Sequence, residues 1–130
     1  MPGFLPHFLG DRGERAAVRF LKQQGCRILQ KQYRNSYGEI DIIAEHKGVT
    51  IFVEVKTRSS DADGAPWEAV QQKQRDRISR AALCWLKKHN RLERPARLDV
   101  ISILWRNDQS APEIQHFPSA FESGDRGQLY

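Results

Sequence analysis

β-branched and other apolar residues interleaved with polar ones mark two neighbouring stretches, GEIDIIAE from Gly38 to Glu45 and VTIFVEVKT from Val49 to Thr57, and predict two strands. The connector His46, Lys47, Gly48 has hairpin length and supplies a glycine for a positive φ. RLDVISILW, Arg97 to Trp105, reads as a further strand, Cys26 to Tyr33 as the first strand of the chain, and Glu113 to Phe117 as a short last one. Spacing near 3.6 residues predicts two helices. Asp11 to Gln24 is amphipathic and stops at Gly25, with Asp11 as N-cap and Glu14 three residues on, close to a capping box. The longer helix runs from about Trp67 to His89 and turns Val70, Ile78, Ala81, Ala82 and Trp85 to one side. It is long enough to carry the chain over the sheet and return it parallel to the strand it left.

The order helix, three strands, long helix, strand, short strand predicts an α/β fold, a mixed central sheet flanked by helices. A chain of 130 residues holds one such domain. Residues 1–10 read as a flexible leader, 11–118 as the domain and 119–130 as a frayed tail.

Composition narrows the class. Nothing approaches the roughly 18 to 20 apolar residues that cross a bilayer, so membrane spanning is not expected. The N-terminus lacks the pattern of a signal peptide, and a cytoplasmic location follows by default. Cys26 and Cys84 have no CxxC partner and read as buried free thiols, while His7, His46, His89 and His116 show no zinc-ligand spacing. The net charge of +5 is uneven. Between Gln71 and Arg97, nine basic residues stand against Asp76 and Glu93, a balance of +7, which leaves −2 for the rest. A cationic long helix favours a polyanionic partner.

The chemistry lies where charges interrupt the apolar strands. Glu54 and Lys56 share a strand face with Phe52, opposite Ile51, Val53 and Val55. Glu39, Asp41 and Ile43 share one face of the preceding strand, opposite Ile40 and Ile42. With an even connector, Asp41 falls on the face of Glu54, directly opposite or diagonal to it, within reach of a bridging divalent ion. A helical wheel places Glu14 with Ala17, Val18 and Leu21 on the apolar side of the first helix. Hard carboxylate oxygens suit Mg²⁺ or Mn²⁺, and a neighbouring lysine can position a water or neutralise charge on a phosphate. The plainer reading of Glu54 and Lys56 is an exposed cross-strand ion pair, against which Phe52 between them argues. Glu14 has two readings, as a cap partner of Asp11 or as a ligand. Glu39 has an alternative as the partner of Lys56 or an arginine, and Asp99 as an edge or network residue.

The segments GERAAVRFLKQQG, YGEIDIIAEHKGVTIFVEVKTR, AVQQKQRDRISRAALCWL and RLDVISI resemble the YraN-type family of small bacterial proteins, over roughly Gly10 to Leu104. That family is similar to the archaeal Holliday-junction resolvases and to restriction-endonuclease-like nucleases. The resemblance implies a restriction-endonuclease-like three-layer fold and a metal-dependent nuclease acting on DNA, at branched or single-stranded structures. The nuclease motif falls on Asp41, Glu54 and Lys56, with Glu14 matching the resolvase helix glutamate. Asp41, Glu54 and Glu14 are then the Mg²⁺ or Mn²⁺ ligands. Ile40 stands where the usual pattern has proline. A glutamine on the following helix corresponds to Gln71, Gln72 or Gln74. Arg58, Lys73, Arg77, Arg80 and Lys87 are the candidate contacts to nucleic acid, with Tyr37 and Trp67 flanking the site. Analogy with resolvases, which cut two strands, implies a homodimer as one expectation. The alternative is a nucleic-acid-binding protein of the same fold with little or no catalysis, and a third reading makes the acidic cluster a salt-bridge network.

Overall fold

A computed structural model describes residues 4–58, 72–106 and 111–120, and of residues 4–10 the backbone alone. Two helices, α1 (Phe4–Gln23) and α2 (Gln72–Lys88), flank five strands, β1 (Arg27–Arg34), β2 (Glu39–His46), β3 (Val49–Arg58), β4 (Ala96–Leu104) and β5 (Glu113–Phe117). The sheet order is β1-β2-β3-β4-β5, and all neighbours pair antiparallel except β3 and β4, which run parallel. The expected crossover is therefore present. No helix among the described residues is long and apolar enough to cross a membrane.

Each face of the sheet buries its own core. Ile42, Ile51, Val53, Ile101 and Ile103 pack with Ala16, Ala17 and Leu21 of α1. Ile43, Phe52, Leu98 and Val100 pack with Ile78, Ala81, Ala82, Trp85 and Leu86 of α2. Trp85 ties this second layer together, meeting Phe52 edge-on and donating from Nε1 to Gln30 Oε1 at 2.9 Å. On the other side, Gly13 lets α1 approach β3 closely. A Cβ there would land on the Thr57 hydroxyl.

The ends of the elements follow local rules. α1 stops at Gly25 (φ 92°), where Cys26 N–H bonds Leu21 C=O and Gly25 N–H bonds Lys22 C=O. α2 ends the same way with Asn90 (φ 58°), whose short side chain tolerates that conformation. In the hairpin, His46 pairs with Val49, leaving the two-residue loop Lys47-Gly48 with φ of 51° and 82°, as a type I′ turn requires.

Two expectations need correcting. α1 begins at Phe4, not Asp11, so Asp11 lies inside the helix and is not its N-cap. Pro6 looks like a breaker, but the first turn of a helix has no acceptors for its N–H groups, so proline is tolerated there. Cys26 and Cys84 are free thiols, yet neither is fully buried: Cys26 is half-buried, and Cys84 is exposed, because it sits four residues beyond Arg80 on the solvent side of α2. Val70 and Trp67 lie outside the described residues.

Candidate functional site

The tight turn fixes the register of β2 against β3, and Ile42 pairs with Val53. One step further along that register, Asp41 stands opposite Glu54. There the ladder gives way to a side chain, for Val55 N–H donates to Asp41 Oδ2 at 2.8 Å. The strand alternation also breaks. Ile40 packs on the α2 side with Ile43, not with Ile42 on the α1 side as the simple pattern requires. The neighbouring strand shares the irregularity. Gln32, between the pairs Lys31 with Ile42 and Tyr33 with Ile40, has a φ of 53°. For a strand residue other than glycine this conformation is strained, and such strain concentrates where a site is being shaped.

The carboxyl groups of Asp41 and Glu54 lie close enough for each to shift the other's protonation. Glu54 Oε2 also faces Lys56 Nζ at 3.3 Å and accepts from Gln74 Nε2 at 3.2 Å, so α2 forms one wall of the site. The Glu54 side chain is 12% exposed and that of Lys56 24%. Burial, and then the Asp41 charge, push the Glu54 carboxyl up to about 7, against the pull of Lys56. Burial likewise raises Asp41, partly offset by the Val55 N–H, while the charge of Glu39 adds to the rise.

Glu14 reaches the same region from α1. Burial and the Asp41 charge raise its carboxyl, and the polar Gln32 side chain partly offsets the rise. Among the described residues, no three or more His, Cys, Asp or Glu side chains are gathered closely enough to hold a metal ion. Asp41 and Glu54 thus form a pair, with Glu14 within electrostatic range. Gln32 is a member that the sequence did not signal, since a lone polar residue in a polar edge strand carries no mark of a positive φ.

Other candidates are placed elsewhere. Glu39 pairs with Arg34 at 3.3 Å on the surface. Asp99 is fully buried, with its carboxylate accepting from Arg97 Nε and Ser119 N–H and meeting His116 Nε2 at 2.7 Å, which makes it a network residue. Of the three candidate glutamines Gln74 reaches the site, Gln72 bonds Asp76, and Gln71 lies outside the described residues. Arg58 closes β3, half-buried, while Lys73, Arg77, Arg80 and Lys87 lie exposed along α2.

Two neighbouring carboxyl groups in a poorly solvated place cannot both ionise cheaply. They can share a proton, or a cation can enter between them. The oxygen-only donor set fits Mg²⁺ or Mn²⁺ and is a poor match for softer metals.

Residues 13–103 match the model of a family described as "Uncharacterised protein family UPF0102". The chain belongs to UPF0102. It is 46% identical over 115 residues to a UPF0102 protein of Trichlorobacter lovleyi, covering 88% of this chain and 90% of that one. A UPF0102 protein of Geotalea uraniireducens is 46% identical over 114 residues, covering 88% and 89%. UPF0102 protein Cphamn1_0017 of Chlorobium phaeobacteroides is 42% identical over 122 residues, covering 91% and 97%. The YraN-type resemblance is thereby established as UPF0102 membership. The UPF0102 segment runs from within α1 to within β4 and takes in Glu14, Gln32, Asp41, Glu54, Lys56 and Gln74.

Proposed function

We propose that this UPF0102 protein is a metal-dependent nuclease that hydrolyses DNA phosphodiester bonds, built on a restriction-endonuclease-like version of its α/β fold. One observation carries the reading. The hairpin brings two half-buried carboxyl groups together with a lysine ammonium 3.3 Å from one of them, where β2 and β3 stop pairing. A salt-bridge network alone has no use for the second carboxylate, which opposes ionisation of the first.

Asp41 and Glu54 would hold Mg²⁺ or Mn²⁺, with the Glu14 carboxylate adding negative charge from α1. Such an ion supplies a lower pKa to attacking water and neutralises charge on the phosphate. The protein residues do the rest. Val55 N–H and Gln74 fix the two carboxylates in place. Lys56, anchored on Glu54, directs a donor and a positive charge into the site, where it can orient the water or stabilise the developing negative charge on the phosphate. The exposed cations of α2 bind the flanking backbone.

The test uses linear duplex, single-stranded and four-way-junction DNA with Mg²⁺ or Mn²⁺, comparing the wild type with Asp41→Asn and Lys56→Ala. Cleavage by the wild type that is lost in both variants supports the nuclease. If the wild type cuts none of the substrates, the enzyme reading is wrong, and salt-dependent binding without cleavage makes the protein a binding module.

A further inference from the structure

Resting on that reading of the carboxylate pair, we propose that Tyr37 and the cationic stripe of α2 form a platform for single-stranded nucleic acid. A base stacks on Tyr37 while the adjoining phosphates lie along Lys73, Arg77, Arg80 and Lys87. Tyr37 is 46% exposed, although large aromatic side chains are usually withdrawn from water. Its loop is nevertheless firmly built. Asn35 Oδ1 accepts from the N–H groups of Tyr37 (2.9 Å) and Gly38 (3.3 Å), and Asn35 Nδ2 donates to Tyr33 Oη and to Ala81 C=O of α2. Gly38 lies flat against α2, where a Cβ would come within 3.3 Å of Arg77 Cβ. The ring is thus displayed from a fixed base, so little conformational freedom is lost when a ligand covers it.

The stripe and the ring are continuous with the carboxylate site. Gln74 of α2 touches Glu54, Arg77 touches the Tyr37 loop at Gly38, and Ala81 touches it at Asn35. Positions 73, 77, 80, 84 and 87 repeat at intervals of four and three, a single face of a helix. All five are exposed, and their four cations form no ion pair among the described residues. From Lys73 to Lys87 this face runs about 21 Å at 1.5 Å per residue. Charge complementarity selects a polyanion. The aromatic ring selects among polyanions, because it needs a base with a free face, and duplex bases are already stacked on both sides.

Fluorescence anisotropy with a labelled oligothymidylate of about 15 nucleotides, and with a duplex of the same length, tests this in EDTA, where no cleavage occurs. The wild type is expected to favour the single strand. Tyr37→Ala should weaken single-strand binding about tenfold and leave duplex binding unchanged, while Tyr37→Phe retains it. Arg77→Ala with Arg80→Ala should flatten the dependence of log K on log salt by about 0.7 per cation. Tyr37→Ala binding the single strand as tightly as the wild type, or a wild type that prefers duplex, overturns the proposal. A wild type that cuts nothing yet loses single-strand binding with Tyr37→Ala refutes the nuclease and leaves the platform standing.

Discussion

Replacing Glu54 by Gln should make the protein more stable at pH 8 and leave it unchanged near pH 4.5. The wild-type carboxyl, 12% exposed and beside Asp41, is pushed up to about 7 from an ordinary 4.5. A carboxyl group raised on folding holds its proton more tightly in the folded state, so its unfavourable contribution is absent below pH 4.5. Stability is lost as pH rises from there to about 7, and the full loss persists above. At 1.36 kcal/mol per pH unit this amounts to about 3 kcal/mol. The substituted amide would not ionise, and its oxygen can still accept from Gln74. The attraction of Lys56 at 3.3 Å is already contained in the raised value, so its loss in the variant subtracts nothing further. The gain is about 3 kcal/mol, or about 10 °C in Tm for a domain of this size. Thermal melts in EDTA from pH 4.5 to 8.5 should show the wild-type Tm falling with pH more steeply than that of Glu54→Gln. An equal destabilisation of Glu54→Gln at both ends of the range would refute the reasoning, because it would mean that Glu54 is a satisfied ion-pair partner.

Two further substitutions test the frame around the site. Gly13→Ala drives a methyl group into Thr57 of β3 and should cost about 2 kcal/mol or more in urea unfolding, with part recovered in the double variant Gly13→Ala, Thr57→Ala. Asp99→Asn leaves Arg97 and His116 facing a neutral, buried amide and should destabilise by about 3 to 5 kcal/mol, with hydrogen exchange rising first in β5; a change below about 1 kcal/mol would show the network to be dispensable.

Much of this arrangement was legible in the sequence because it depends on parity and local chemistry. The two-residue turn at Lys47-Gly48 fixes which side chains share a face, and that suffices to bring Asp41 to Glu54. Gly25 and the buried face of α2 follow from equally local rules. The start of α1 was hidden because Pro6 and Gly10 resemble breakers, and only the position of Pro6 in the first turn makes it acceptable. The break in alternation at Asp41 was hidden for a different reason. It comes from the Val55 N–H turning to a carboxylate and from the positive φ of Gln32, both set by neighbouring strands. The choice of Gln74 over Gln72 depends on how α2 is rotated over the sheet, which no spacing within the helix determines.

The central claim is that Asp41 and Glu54 together hold a divalent cation, and a Mn²⁺ titration followed by electron paramagnetic resonance at pH 8 tests it most directly. The wild type and Lys56→Ala should each bind Mn²⁺, and binding should weaken towards pH 5.5 as the carboxyl groups take up protons. Asp41→Asn and Glu54→Gln should bind none at the same concentrations. Mn²⁺ binding that survives both substitutions, or a wild type that binds no Mn²⁺ at pH 8, would contradict the account.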